Sequence, residues 1–182
     1  MTQDQPPDSI QSTVVGFSGH RSLSDPQYVG KKIEQNLADI KKTAANRTIA
    51  AAVSSAAAGA DVLFCETALK LKIPLTVILP FSEEEFKKDF TGVHTDWWPR
   101  AKRIIETCRD QGACHIIGPQ STRDESYRAC GQACVDRATH LLVVATTKDT
   151  GSKVGAHAMI EYARSTGRKT IVINPDSTLE AI

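Results

Sequence analysis

The residues best suited to binding chemistry in this chain of 182 residues lie together near position 20. Gly16 and Gly19 flank a short turn, to which Ser18, His20 and Arg21 add a hydroxyl, an imidazole and a guanidinium. Glycines leave main-chain N–H groups uncovered, and such groups beside basic side chains favour an anion. The spacing matches neither the dinucleotide glycine fingerprint nor the Gly-Lys-Ser/Thr ending of a P-loop. The sequence therefore predicts an anion-binding turn without naming a cofactor, and a plain strand-to-helix turn with a surface arginine is the alternative.

Two elements must position this turn. Residues 13–17 form a short β-branched and apolar run, which is typical of a strand buried on both faces. A helical pattern begins near Asp25, and Pro26 stands in its first turn, where the fixed φ of proline suits a helix. Strand, glycine turn and helix in this order hold anions in open α/β sheets, because ligands bind beyond the carboxyl ends of parallel strands.

Six predicted strands alternate with helices along the chain. The predicted strands cover residues 13–17, 48–53, 74–79, 113–117, 140–145 and 170–174, and the predicted helices cover residues 25–46, 60–71, 96–110, 123–137 and 154–166. Residues 81–96 show no clear period and are predicted to form a long loop with a turn of helix. This alternation predicts an α/β, Rossmann-like, doubly wound fold, with a mostly parallel sheet of about six or seven strands, strand one central and helices on both faces.

Composition indicates one soluble domain. The chain is 41% hydrophobic and 24% charged, and its net charge of +1 offers no long-range attraction to nucleic acid or to an anionic membrane. No apolar run approaches the ~20 residues of a membrane helix, and the N-terminus lacks the apolar core of a signal peptide. We therefore expect a cytoplasmic protein with a flexible leader over residues 1–12 and a single domain over residues 13–182.

The five cysteines are scattered and odd in number, with no C-x-x-C pair. Cys130 and Cys134 share one face of a predicted helix, but no nearby histidine or cysteine completes a set of four ligands. This pattern favours reduced, buried thiols over a disulfide framework or a zinc site. The sequence predicts neither a metal nor a cofactor.

Several motifs, taken in order, resemble those of the SLOG superfamily. They are residues 16–21 after strand one, residues 54–61 after strand two, residues 79–81 after strand three, Tyr127 before strand five, and residues 161–164 in the last helix. The superfamily is a Rossmann-like group that includes the cytokinin-activating LOG phosphoribohydrolases, the DNA-processing proteins of natural transformation, and nucleotide-sensing domains of bacterial signalling and defence proteins. The resemblance covers residues 13–175.

The resemblance implies a ligand built on a nucleotide or a sugar phosphate, bound at the carboxyl ends of the strands. The ligand-binding residues that the turn and the resemblance together predict are Gly16, Ser18, Gly19, His20, Arg21, Ser54, Ser55, Gly59, Asp61, Tyr127, Gly151, Ser152 and Gly155. The resemblance implies that Asp61 contacts a ribose hydroxyl or holds the first loop. The alternative is that Asp61 only stabilises its helix, because an acidic residue in the first turn of a helix is favourable. Tyr127 lies where related sensors present ligand contacts.

The chain departs from the LOG enzymes at their catalytic residue. Their signature, Pro-Gly-Gly-x-Gly-Thr-x-x-Glu, ends on a glutamate that acts at the glycosidic carbon, and here Met159 occupies that position. A thioether neither stabilises an oxocarbenium ion nor activates water. Glu161 lies about 200° around the helix from Met159, so it is no simple substitute. The cradle for a phosphate, with Gly151, Ser152 and Gly155, is better preserved than the chemistry.

Two functions therefore compete. The first and favoured one is a binding or sensing domain for a nucleotide-derived ligand, acting through a partner or through its own homo-oligomer, with Trp98 as a candidate interface residue. The alternative is a LOG-like hydrolase of nucleoside monophosphates in which Glu66 or Glu161 supplies the displaced carboxylate. A third function, DNA binding, is disfavoured by the near-neutral charge.

Overall fold

A computed structural model describes residues 12–146 and 155–176 of the chain. Six strands lie in these residues: β1 (Thr13–Gly19), β2 (Ile49–Ser54), β3 (Leu75–Leu79), β4 (Cys114–Ile116), β5 (His140–Val144) and β6 (Lys169–Ile173). Six α-helices connect them: α1 (Pro26–Thr43), α2 (Ala60–Lys70), α3 (Glu83–Lys87), α4 (Trp98–Asp110), α5 (Arg123–Asp136) and α6 (Ala156–Ser165). Two 3-10 turns cover Ala45–Arg47 and Gly92–Trp97.

The strands form one sheet in the order β4-β3-β2-β1-β5-β6. Every neighbouring pair of these strands is parallel, so β1 is central, with β2 on one side and β5 on the other. The predicted α/β, doubly wound, Rossmann-like fold is confirmed. The chain moves outward from β1 to β4 and then returns to β5, which places the topological switch point between β1 and β5.

The two faces of the sheet carry separate hydrophobic clusters. Helices α1, α2 and α4 pack on one face, where Phe17 of β1 stacks on Phe64 of α2 with a 4.5 Å ring separation. Helix α5 packs on Val53 and Ile78, and α6 packs on Leu141 and Val143, which belong to the opposite face. The alternation of side chains along each strand is what allows one apolar run to serve both faces.

The predicted turn after β1 is wrong in one respect, because β1 continues to Gly19. Ser18 and Gly19 pair with Val143 and Val144 of β5, so the sheet extends the strand past Phe17. A Cβ on Gly19 would lie 2.6 Å from the Cβ of Ala60, and one on Gly16 would lie 2.9 Å from the Cβ of Ala138. The two glycines therefore serve close packing of helices on the central strand and do not form the turn itself.

The stretch predicted as a long loop contains more regular structure than its pattern indicates. Residues 81–97 hold α3 and a 3-10 turn, and α4 begins at Trp98 with Pro99 in its first turn. Ser82 caps α3 by accepting a hydrogen bond from the backbone N–H of Glu85.

None of the helices in the described part of the chain is long and apolar enough to span a membrane.

Candidate functional site

A cleft of about 590 Å³ opens beyond the carboxyl end of β1, the strand at the switch point. Its described walls come from the end of β1, the loops after β1 and β2, one face along most of α5, Asp89 and the start of α6. The cleft brings together eight of the residues that the sequence predicted to bind ligand: Ser18, Gly19, His20, Arg21, Ser55, Asp61, Tyr127 and Gly155.

Three further predicted residues lie behind the walls of the cleft. Gly16 packs against the C-terminal end of α5, Ser54 is fully buried beneath Asp61, and Gly59 forms the N-cap of α2. Gly151 and Ser152 lie outside the described residues. The loops after β1 and β2 thus both line this cleft, whereas Gly16, Ser54 and Gly59 lie outside its lining.

Gly59 joins the loop after β2 to the loop after β1. Its φ is +81°, and the backbone N–H of the next residue, Ala60, donates to the carbonyl oxygen of His20 at 3.1 Å. A Cβ at position 59 would lie 2.7 Å from that same oxygen and would also overlap the backbone of Arg21. Only glycine fits here, because both the positive φ and the close approach of the two loops exclude a side chain.

Asp61 anchors the floor of the cleft. Its Oδ1 accepts hydrogen bonds from the hydroxyls of Ser54 at 3.0 Å and Ser55 at 2.9 Å. Burial raises the pKa of Asp61 to about 6, and the two serines, the charge of Arg21 and the Gly19 amide oppose that rise. The carboxyl group therefore changes charge near neutral pH, and its contacts hold the first two loops together.

Arg21 projects into the cleft over an aromatic ring. The centre of its guanidinium lies 4.5 Å from the centroid of the Tyr127 ring, which is a cation–π distance. Arg21 also interacts electrostatically with the carboxylates of Asp61 and Asp89. Stacking occupies the face of a guanidinium and leaves its N–H edges for hydrogen bonds to an anion.

Sequence reasoning missed a network behind Tyr127. The Tyr127 hydroxyl donates to Oδ2 of Asp89, and Arg123 donates from Nε to Oδ1 of Asp89 at 3.0 Å. Arg123 also donates to Glu85 at 2.8 Å and lies 4.4 Å from the ring centroid of Phe81. The stretch 83–89 is rich in acidic residues, which is the sequence signal that could have indicated this network. That stretch was instead predicted to be part of a long loop.

Two histidines hold the backbone where β5 leaves the sheet. Nε2 of His20 accepts a hydrogen bond from the Thr146 backbone N–H at 3.1 Å, so this nitrogen carries no proton in this arrangement. Nε2 of His157, in the first turn of α6, lies 2.8 Å from the Thr146 carbonyl oxygen, to which it can only donate. The α6 N-cap, Gly155, has no side chain to accept hydrogen bonds from the first turn of the helix.

Met159, which the resemblance aligned with the LOG glutamate, is an apolar side chain in the cleft wall. Met159 is buried against α5, where a Cβ on Gly131 would lie 2.5 Å from its Sδ. Glu161 is exposed and outside the cleft lining. Glu66 is ion-paired with Arg100 of α4, at 2.8 Å from Nε to Oε1, and also lies outside the lining. Neither carboxylate proposed for the hydrolase faces the cleft.

Four of the five cysteines are buried, and Cys114 is half-buried. All five are free, and Cys130 and Cys134 are buried beneath the cleft. A hydrogen bond with Cys130 and burial raise the pKa of Cys134 well above its ordinary value, so the thiol stays neutral. Over residues 12–146 and 155–176, no group of three or more His, Cys, Asp or Glu could hold a metal ion.

Comparison with solved structures identifies a similar fold. The chain matches the X-ray structure of DNA processing protein A from Streptococcus pneumoniae with a TM-score of 0.60 at 16% sequence identity. The match covers 91% of this chain and 51% of the other, so the chain spans about half of the length of that protein. No family model and no curated protein matches the sequence. The Rossmann-like fold that the motifs implied is thus confirmed.

Proposed function

We propose that this domain binds a nucleotide-derived ligand in the cleft at the carboxyl end of β1 and acts as a binding or sensing module. The observation that carries the proposal is the position of Arg21, which lines the cleft at the switch point of a doubly wound sheet. Ligands of such sheets bind outside the carboxyl ends of the strands, where the chain reverses direction. A volume of about 590 Å³ lies within the range of small-molecule sites.

The start of α6 supports a phosphate-type group. Gly155 and Ala156 line the cleft, so the first turn of this helix lies at its wall. The N–H groups and the positive dipole end of a helix N-terminus favour an anion. Arg21 and the α6 N-terminus therefore supply charge and backbone donors to one cleft, while the ring of Tyr127 and the hydroxyls of Ser18 and Ser55 suit a base and a sugar.

Removing the guanidinium of Arg21 should weaken ligand binding without unfolding the protein. A lost charge-assisted hydrogen bond costs about 1.5 to 3 kcal/mol, so Arg21→Ala should weaken the binding of adenosine monophosphate at least tenfold, as measured by calorimetry. Arg103→Ala is the matched control, since Arg103 is exposed on α4 and outside the cleft. An equal loss of stability and affinity would make Arg21 a structural residue.

A thermal-shift panel of nucleotides identifies the ligand class. A ligand present at 100 times its Kd stabilises the folded state by about 2.7 kcal/mol, which is readily visible. A single-stranded oligonucleotide belongs in the panel, because the chain shares its fold with a DNA processing protein. A shift with the oligonucleotide and none with mononucleotides would favour nucleic acid as the partner.

Self-association of this domain stays a prediction. Trp98, the candidate interface residue, is half-buried against Phe90 within the chain.

We expect no release of ribose 5-phosphate from adenosine monophosphate. Hydrolysis of the N-glycosidic bond needs a carboxylate beside the developing sugar cation. The resemblance to the LOG signature aligns Met159, which lines the cleft, with that carboxylate. The assay compares the wild type with Glu66→Gln, Glu161→Gln and Asp61→Asn, since Asp61 is a carboxyl group that does line the cleft. Turnover by the wild type that is lost in one of these variants would establish the hydrolase alternative and name its carboxylate.

A further inference from the structure

Asp89 lies at the centre of a linked set of side chains that ends at Arg21. Its Oδ2 accepts a hydrogen bond from the Tyr127 hydroxyl, and the Tyr127 ring in turn lies under the Arg21 guanidinium at 4.5 Å. Phe81 meets the same ring edge-on, with 5.6 Å between centroids, and limits its movement. The orientation of Arg21 in the cleft therefore depends on how firmly Tyr127 is held.

Asp89 is itself held by two contacts with Arg123. Nε of Arg123 lies 3.0 Å from Oδ1, and Nη2 lies 2.8 Å from Oδ2, which is the paired geometry of a strong guanidinium–carboxylate interaction. Arg123 donates further to the carboxylate of Glu85 at 2.8 Å and to its carbonyl oxygen at 3.2 Å. The segment that follows β3 is thus tied to the start of α5 through the guanidinium of Arg123.

The protonation states keep this arrangement intact at neutral pH. Partial burial works against the charged form of Asp89, but hydrogen bonds from Arg123 and Tyr127 and the charge of Arg123 lower its pKa below the ordinary value. Burial raises the pKa of Tyr127 well above its ordinary value. A neutral phenol therefore donates to a charged acceptor, which gives a charge-assisted hydrogen bond.

We propose that Asp89 is a positioning residue for the anionic group of the ligand, acting through Tyr127 to hold the Arg21 guanidinium in the cleft. This inference rests on the proposed function, in which Arg21 binds that group. Positioning and simple charge repulsion predict opposite changes in anion affinity when the Asp89 carboxylate is neutralised. A carboxylate in the cleft wall repels an anion, so neutralising it should tighten binding if charge alone matters. Positioning predicts the opposite result.

Asp124 provides the matched control for this test. It also lines the cleft, but it takes no part in the contacts that join Arg21, Tyr127, Asp89 and Arg123. Asp89→Asn and Asp124→Asn each remove one negative charge from the same cleft. If Asp89 acts by positioning, only Asp89→Asn weakens the binding of an anion, and Asp124→Asn leaves the affinity equal or higher.

The first measurement needs no ligand. The Nε–Hε signal of Arg21 in the NMR spectrum is assigned by its absence in Arg21→Lys, and a side chain held over an aromatic ring gives a sharp, shifted signal. We expect Tyr127→Phe and Asp89→Asn to broaden or displace this signal, and Asp124→Asn to leave it unchanged. An unaltered Arg21 signal in Asp89→Asn would overturn the positioning role.

The second measurement compares adenosine monophosphate with adenosine by calorimetry. Tyr127→Phe and Asp89→Asn should each weaken the binding of adenosine monophosphate about threefold to tenfold, the effect of one hydrogen bond, and should leave adenosine unaffected. The double variant should resemble either single variant, because both changes break one linkage. Tighter binding by Asp89→Asn, additive losses, or an equal loss for adenosine would refute the inference. A wild type that binds neither compound would refute the proposed function for this ligand class, and the NMR comparison would still decide the positioning role.

Discussion

Gly59→Ala is expected to lower the free energy of unfolding by about 3 kcal/mol or more, the largest effect of any single methyl group that we anticipate in this chain. Alanine at φ +81° is strained, and its Cβ would overlap the carbonyl oxygens of His20 and Arg21. Backbone strain and overpacking each cost roughly 1 to 3 kcal/mol, and neither can be relieved without separating the two loops. Urea denaturation followed by circular dichroism measures the loss.

Gly30→Ala is the matched control for this change. Gly30 lies inside α1, and a Cβ placed there meets no atom within 4 Å. The same methyl group should therefore raise the free energy of unfolding by about 0.5 to 1 kcal/mol, the difference in helix propensity between alanine and glycine. Equal effects of the two substitutions, in either direction, would contradict the contact between the loops after β1 and β2.

Asp61→Asn should make the stability of the protein less sensitive to pH. The pKa of Asp61 is raised by burial to about 6 in the folded chain, against an ordinary value of 3.8, so the folded state binds this proton more tightly than the unfolded state. The stability that this group contributes is present in full below pH 3.8 and is lost as the pH rises through about 6. The loss amounts to about 3 kcal/mol, and an asparagine does not incur it.

The difference in unfolding free energy between Asp61→Asn and the wild type, measured at pH 4, 6 and 8, should therefore move in favour of the variant as the pH rises. Asp89→Asn should show little change over this range and a trend of the opposite sign only at lower pH, as the pH falls below about 3.8. The pKa of Asp89 is lowered in the folded chain by its hydrogen bonds and the charge of Arg123, against the effect of burial, so its ionised form stabilises the fold above the unfolded pKa. A pH-independent difference for Asp61→Asn would show that this carboxyl group is not desolvated.

Much of the fold was accessible from sequence because local pattern and global topology agree. The apolar runs that predicted strands are strands, since a parallel strand buried on both faces must be apolar throughout. The roles of Gly16 and Gly19 were misread, because a glycine that forms a turn and one that admits a neighbouring helix look identical in sequence. Arg21 lies in the cleft because it comes two residues after the central strand, where the switch point fixes its surroundings, and its role in binding stays a prediction.

The parts that sequence could not supply are contacts between distant segments. Tyr127 and Asp89 are 38 residues apart, and no periodic pattern links them. Glu66 and Lys70 have the spacing of a helical ion pair, yet Glu66 pairs with Arg100 and Lys70 pairs with Glu34. Both residues pair with side chains on neighbouring helices, because helix packing brings opposite charges of those helices within hydrogen-bond distance. An exposed i,i+4 pair is stabilised by only a few tenths of a kcal/mol, so it yields easily.

The position of β1 between β2 and β5 also bears on how the chain forms during its synthesis. Val15 pairs with residues near position 50 on one edge and with His140 on the other, so one edge of the central strand has its partner 125 residues later. At ~5 to 20 residues per second, a ribosome takes roughly 6 to 25 s to supply that partner. Throughout this interval an apolar strand edge is open to other chains, as in any parallel sheet closed by distant segments. The wall of the cleft that α6 supplies, with Gly155, Ala156 and Met159, lies after β5 in the chain, so a nascent chain stalled before residue 140 has an incomplete cleft.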